Sequence, residues 1–596
     1  MPHAQTMPPT GFQALILCGP GVSLNTFTSS PEEFPKALIP IANRPMIWYP
    51  LDWCYRMGIT NIHLVTPPSS AKAIEAALSQ NPHLTSLPLP TADILAPEAL
   101  SQNTPTAGIL RLPEVQAAIT GDFLVLPCDL MCEIAGESLL EAWMIQEAGL
   151  GGAAAGIQDY LGPKMGLGGE RGGRRGGMGV WFQTKGEGSV KGEETDFVAT
   201  TVLHSHIRPS LTPPEGSLRS HIANLVYATP TDTLNDITED KKSFPIRHGL
   251  IRKHGRIRML TTHRDAHIYI FPHWVLEMIS RNERLDSISE DVVGMWAKAG
   301  WQDGLGDKLG LREIFSVAEE KEGENGSHSS GSVEDDLDLG SMTTTGTSDL
   351  KNGANDASLT GFATRVGNSS MQQPSSSSKL TVPPMLAYIH PLDPAAPLIR
   401  RVDTAALLLS VSLRLAKLGS IDEVGKPASS PFAHAHKIAH PSGIAQRCTV
   451  TKNDCLLAEN VSVEEKCVVK ESVIGASCTI KTGARLTRCV LMDGVVVGER
   501  CQLTGCILGR RSGVGQGCVL KECELQEGYG VVEETDARGE KFMAVFPLPT
   551  LPYVASIFIV NALGHFTTSG KVPGHLYWAI IKAINSLQHK LEKPRS

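Results

Sequence analysis

Through the first half of the chain, short apolar runs alternate with segments whose apolar residues recur at helical spacing. That pattern predicts an α/β domain with a largely parallel sheet. Ala14-Leu15-Ile16-Leu17 reads as a short buried strand running into Gly19-Pro20-Gly21. The stretch from Pro45 to Met57 has helical character, and Ile62-His63-Leu64-Val65 is the next strand. Phe123-Leu124-Val125-Leu126 is a later strand that ends at Pro127-Cys128-Asp129. After a long polar interval, order resumes at Met385 to Ile389. Thr404 to Lys417 then carries Leu407, Leu408, Val411, Leu413 and Leu415, the apolar set of a buried helix.

From about Cys455 to Leu525 the pattern changes to a 17-residue period. Ile474, Leu491, Leu508 and Leu525 stand 17 apart, as do Val469, Leu486, Leu503 and Leu520, and Ile480, Val497 and Val514. Cys489, Cys506 and Cys523 keep the same register, extended upstream by Ser472 and Cys455. A triangular solenoid accounts for this: three short faces per turn, each sending an aliphatic residue inward. The glycines after aliphatic residues, at Gly475, Gly498, Gly509 and Gly515, are expected to serve corners of unusual φ. The cysteines are expected to be small apolar fillers stacked between coils.

These patterns divide the chain into an N-terminal tail (1–10), an α/β domain (11–318), a closing segment and linker helix (385–443), a β-helix (444–535) and an atypical C-terminal tail (536–596). Within the α/β domain, 166–179 is a Gly/Arg-rich insert expected to form a loop. Residues 319–384 are rich in acidic, Ser, Gly and Thr residues and poor in large apolar ones, so disorder is expected there. In the tail, the apolar run Val554 to Leu563 is interrupted by Asn561 and is too short to span a bilayer.

The 596 residues are 41% hydrophobic and 19% charged, with a net charge of -8. This is the composition of a soluble globular protein, and it calls for no direct nucleic-acid contact. Met1 to Thr10 has no apolar signal-peptide core, which points to the cytosol of the cytoplasm. The thirteen cysteines show no CxxC pair and no His/Cys ligand spacing, so neither a metal nor another cofactor is expected.

Candidate chemistry rests on the first strand and its loop. A strand followed by a glycine-rich turn can cradle phosphates: Gly19 and Gly21 would allow close approach, Lys36 could add a point charge, and Asp129 could hold Mg²⁺ beside them. Pro20 removes one of the amides such a loop would use. With the block Phe34-Pro35-Lys36-Ala37-Leu38-Ile39-Pro40-Ile41-Ala42-Asn43-Arg44-Pro45-Met46, the loop resembles sugar-nucleotide pyrophosphorylases, which read roughly GGxGTRLxPLT and then PKPLxPxxxKP. Lys36 and Asp129 match their family positions. Val22-Ser23-Leu24 stands where Thr-Arg-Leu is expected, so the arginine that stabilises the triphosphate is missing. Loss of that charge argues against turnover.

A pyrophosphorylase-like domain joined to a left-handed β-helix is similar to the gamma-subunit family of eukaryotic translation initiation factor 2B. That resemblance is carried by the block through Ile47, by Leu126-Pro127-Cys128-Asp129-Leu130, by Asp265-Ala266-His267-Ile268-Tyr269-Ile270-Phe271 and by Ile399-Arg400-Arg401-Val402-Asp403-Thr404. It implies a non-catalytic subunit of a decameric guanine-nucleotide exchange factor, partnered by the epsilon subunit and the other subunits and acting on translation initiation factor 2. No catalytic residue is then expected, and Gly19, Gly21, Lys36 and Asp129 form a vestigial nucleotide pocket. The alternative is an active nucleotidyltransferase of the mannose-1-phosphate guanylyltransferase kind. A β-helix acyltransferase would want a histidine near the coils, and the sequence has none between His440 and His565.

Overall fold

The structure is a computed structural model that describes residues 11–543 except 20–21, 102, 145–174, 187–188, 204–216, 245, 316–379, 394–395 and 427–428. Gly21, Pro20, the N-terminal tail, 166–174 of the Gly/Arg insert, 319–379 and the tail from residue 544 onward therefore lie outside the described residues.

Nine strands build the sheet of the α/β domain. They are β1 (Gln13–Leu17), β2 (Asn61–Val65), β3 (Asp93–Leu95), β4 (Phe123–Pro127), β5 (Gly177–Gln183), β6 (Asp196–Thr201), β7 (Ile222–Pro230), β8 (Arg258–Phe271) and β9 (Met385–Ile389), in the order β3-β2-β1-β4-β8-β5-β9-β7-β6. The expected parallel character holds for β1 to β4. Beyond them the sheet is mixed: β8 runs antiparallel to both β4 and β5, and β7 antiparallel to β9 and β6. Apolar alternation reports burial and not strand direction, so the second half departs from the parallel expectation.

Two expected boundaries move. The Gly/Arg insert does not extend to 179, because Gly177, Met178 and Gly179 open β5 and are buried. The glycines there make room for aromatic rings: a Cβ on Gly177 would come within 2.6 Å of Trp296, and one on Gly179 within 2.7 Å of Trp181. The low-complexity segment also ends before 384. Leu380 and Val382 pack against the core, and the Pro383 carbonyl accepts a 2.8 Å hydrogen bond from the Trp296 indole.

The helix expected early in the chain is α1 (Trp48–Arg56). Three others matter below: α2 (Thr231–Lys241), α3 (His248–Lys253) and α4 (Gly294–Ala299). The helix expected after β9 is α5 (Ala405–Lys417), capped by the Thr404 hydroxyl, which accepts from the Leu407 N–H.

The C-terminal region is a left-handed β-helix of three parallel sheets, with partners 17 residues apart from Leu456 onward and 19 apart in the coil before it, where Thr449 pairs with Val468. Ile474, Leu491, Leu508 and Leu525 stack inward, as do the two other aliphatic columns, and all are buried. The coil runs on past residue 535: Asp536–Arg538 pairs with Val519–Lys521 and Lys541–Phe542 with Glu524–Leu525, in the same register. Cysteines fill the interior in more than one column, Cys467, Cys501 and Cys518 forming a second. Their thiols donate to carbonyls of the following coil, as Cys478 does to Met492 O at 3.1 Å and Cys501 to Gly515 O at 2.9 Å.

The role expected for the glycines needs correction. Left-handed φ recurs every 17 residues at corners that are often not glycine, as at Ser477, Gly494, Arg511 and Gly528. Gly475, Gly498, Gly509 and Gly515 do not have such φ. They are required by close approach: a Cβ on Gly498 would lie 2.6 Å from the backbone of Gly515 in the next coil.

One face of the prism is apolar on its outside. Leu456, Val473, Val490 and Ile507 point away from the solenoid interior, yet are buried in the same cluster as Leu408, Val411 and Leu415 of α5. The other two faces present Arg485 and Gln502, or Ser462 and Val496, to solvent. The β-helix is thus seated on the α/β domain by one side.

Candidate functional site

Local structure explains how the site assembles. β1 and β4 are parallel neighbours in register, so the loops after them emerge side by side. Lys36 sits in a single 3-10 turn (Lys36–Leu38) that the preceding Pro35 starts. Its ammonium meets the Asp129 carboxylate at 2.6 Å, with the Asp129 side chain 2% and the Lys36 side chain 11% exposed. Two of the four expected residues are therefore together. Gly19 lies beside them, its backbone N–H against the Cys128 thiol. Its φ is ordinary, and a Cβ there would meet nothing within 4 Å among the described residues, so the glycine leaves open space above the loop. Gly21 is outside the described residues.

Asp129 has a second cation. The strand Ile399–Arg401 pairs antiparallel with Leu130–Cys132, placing Arg401 opposite Leu130 and its guanidinium 3.4 Å from Asp129. Burial alone would raise the Asp129 carboxyl, but Lys36 and Arg401 outweigh it and hold it well below the usual carboxylate range. The same partners act in reverse on Lys36: burial lowers it, and Asp129 more than restores it. Beyond Arg401, Asp403 bridges to Arg264, which also faces Glu193 at 3.6 Å.

A second layer comes from an irregularity in β8. Its pairing with β5 slips between Asp265 and Tyr269, and His267 takes a φ of 53° there. The Asp265 carboxylate accepts from the His267 N–H at 2.8 Å and from the Tyr269 hydroxyl, while Asp265 N–H donates to Asp196 at 2.6 Å. Burial first, and the adjacent Asp196 second, push the Asp265 carboxyl up to about 7. Burial and then Arg401 lower His267 well below its ordinary value, so its imidazole is neutral.

This arrangement does not suit the Mg²⁺ that a pyrophosphorylase would hold. Asp129 is almost wholly out of water with each oxygen facing a cation, and no group of three or more His, Cys, Asp or Glu among the described residues could hold a metal ion. Asp265, Arg401 and Asp403 lie in blocks that carry the family resemblance, but neither they nor Arg264 are assigned to the site by the sequence alone. The available signal is Arg400-Arg401 directly before a buried helix: arginines beside apolar elements need acidic partners.

The proline-rich block around Lys36 has a further job in the structure. Pro40–Ile41 and Arg44–Pro45 form a hairpin whose turn residues, Ala42 and Asn43, both have positive φ. Asn43 donates to the Ile474 carbonyl of the β-helix at 3.0 Å. Arg44 donates to the Phe432 and Ala433 carbonyls, each at 2.9 Å, with its guanidinium 4.3 Å above Trp48.

A family profile described as the GMPPB C-terminal domain matches residues 443–543. The translation initiation factor eIF2B subunit gamma of Schizosaccharomyces pombe (strain 972 / ATCC 24843) is 26% identical over 310 residues. The chain resembles that subunit. The matched segment is 52% of this chain and 56% of the relative, so the chain spans little more than half the length of the protein it matches. No described helix is long and apolar enough to cross a membrane.

Proposed function

We propose that this chain is a non-catalytic subunit of a guanine-nucleotide exchange factor for translation initiation factor 2, acting in the cytosol. It pairs with an epsilon-type catalytic subunit and joins the other subunits of the complex. The likeness to an eIF2B gamma subunit supports the reading. The observation that carries it is the neutralised Asp129: its carboxylate is spent on Lys36 and Arg401, and the loop has Ser23 where the pyrophosphorylases carry their triphosphate-binding arginine. With the carboxylate not free for a metal and the loop arginine absent, the pocket has little with which to stabilise a pyrophosphate leaving group, while the fold around it remains a rigid platform for partners. The test is affinity purification of the tagged chain from its own cells, with mass spectrometry of the intact assembly. Recovery of an epsilon-type subunit and of initiation factor 2 is expected; a chain recovered alone or as a homo-oligomer would overturn the proposal.

A second reading, a sugar-nucleotide pyrophosphorylase, is favoured by the GMPPB-type match over 443–543 and by the open space above Gly19. It predicts pyrophosphate release from a nucleoside triphosphate and a sugar 1-phosphate, abolished by Asp129→Ala.

A further inference from the structure

Between Lys241 and Arg258 the chain carries seven lysines and arginines and no Asp or Glu, although its overall charge is -8. These residues are the end of α2, the short helix α3 and the start of β8. Leu250 is buried with Trp301, and Phe244 and Ile257 pack partly beneath them, so the face is anchored. Lys253 donates to the Gly300 carbonyl at the end of α4. Outward stand Arg247, Arg252, Arg256 and Arg258, with Ile246, Ile251 and Met259 exposed among them. The neighbouring helix α2 carries Asp232, Asp236, Glu239 and Asp240. Among the described residues, none of these comes within ion-pair distance of the four arginines. Like charges gathered on a half-apolar surface are costly unless something of opposite sign covers them.

A matching segment exists in the same chain. From Glu319 to Asp338 there are eight acidic residues and one lysine, net -7 against the +7 of the basic face. Val333 and Leu337 are interleaved with the acids, as the isoleucines are with the arginines. This segment lies outside the described residues, but its point of departure does not. The Phe315 ring is 5.3 Å from Trp274, and Trp274 is 4.7 Å from Trp296 of α4, the helix followed by the Gly300 that holds Lys253. The residues from 316 to 338 could span roughly 75 Å if extended, far more than that distance requires.

We propose that the basic face at 241–260 is the docking surface for the chain's own acidic segment 319–338. Tethering gives the segment an effective concentration in the millimolar range, an advantage over any free acidic competitor. The face is thereby screened from other polyanions and becomes available to them when the segment is displaced.

Zero-length carbodiimide cross-linking of the full chain at low salt tests the contact, using a mixture of isotopically light and heavy protein. Cross-links from Lys241, Lys242 or Lys253 to carboxylates between Glu319 and Asp338 are expected within single molecules, and high salt should abolish them. In parallel, the combined variant Glu334→Gln, Asp335→Asn, Asp336→Asn, Asp338→Asn should bind heparin more tightly, on the order of tenfold. Adding Arg252→Glu and Arg256→Glu should remove that gain. Cross-links found only between light and heavy copies would assign the face to a second copy and overturn the proposal. So would the absence of cross-links, or a heparin affinity unchanged by the four amide substitutions.

Discussion

Lys36 Nζ stands 2.6 Å from Asp129 Oδ2, and both side chains are almost wholly out of water. With Arg401 on the other oxygen, two buried cations share this carboxylate, and Arg401 also faces Asp403 at 4.0 Å. Asp129→Ala should therefore act first on folding: stripping the anion leaves buried Lys36 without its carboxylate and Arg401 without the nearer of its two, at a cost of about 3–5 kcal/mol. Urea unfolding of the variant against the parent measures it. Unchanged stability would mean that Asp129 is held free for a ligand, contrary to the ion pairing described above.

The site also dictates a pH response. Asp265 has its folded pKa raised to about 7 from an unfolded value near 3.8, so between those limits the folded state binds more protons than the unfolded one. Stability should then fall as pH rises from about 4 to about 7, at a slope of up to ~1.4 kcal/mol per pH step of one. Asp129 acts in the opposite sense, with the stability it contributes lost only as pH falls below the ordinary carboxylate range. Thermal unfolding across pH 4–8 should show Asp265→Asn flattening the decline between about pH 4 and 7. A profile identical to that of the parent would show that Asp265 does not titrate in this window.

The 17-residue register is legible in the sequence because a solenoid repeats one environment many times: Leu491 and Leu508 see the same neighbours and so carry the same residue type. Lys36 and Asp129 are legible for a different reason, since each matches a family motif and Asp129 also follows a strand end. Arg401 and Asp265 also lie in family-like blocks, but their place in the site is not legible, because they reach it by long-range pairing that no local pattern reports: Arg401 across from Leu130, Asp265 at a bulge in β8. The outward column Val473, Val490 and Ile507 is present in the sequence at the same spacing as the inner columns. An apolar residue on a strand position that should face water signals a docked face, and here that signal marks the side that meets α5.

Within the solenoid, Leu491→Asp or Leu508→Asp places an unpaired charge between coils and should cost several kcal/mol, enough to unfold neighbouring coils. Two glycines give a finer test. Gly498→Ala should destabilise, since its Cβ would meet the next coil's backbone at 2.6 Å. Gly513→Ala, with nothing within 4 Å and an ordinary φ, should be neutral or add up to about 1 kcal/mol. Thermal unfolding of the full chain ranks the four variants; equal effects at the two glycines would contradict the close approach of the coils.

The hairpin at Ala42-Asn43 offers a way to measure how firmly the β-helix is seated. Asn43 does two things: it adopts a φ of 65°, and its side-chain amide donates to the Ile474 carbonyl at 3.0 Å. Asn43→Gly keeps the turn and deletes the hydrogen bond, so it should cost about 0.5–1.5 kcal/mol. Asn43→Val deletes the bond and also forces a β-branched residue into left-handed backbone, adding roughly 1–2 kcal/mol. Arg44→Lys is a third probe, keeping the charge but losing the fork that reaches Phe432 and Ala433 together, for a further independent loss of about 1–3 kcal/mol. Unfolding midpoints order the three, and amide hydrogen exchange at Val473–Gly475 reports whether the loss falls at the contact itself. Exchange there should rise in Asn43→Gly and Asn43→Val alike, because both remove the Ile474 partner, while only the valine variant carries the added turn strain. If Asn43→Gly left both stability and exchange unchanged, the hydrogen bond would hold nothing together, and the seating of the β-helix at this point would rest on the apolar face around Val490 and on contacts such as Lys417 with Glu471.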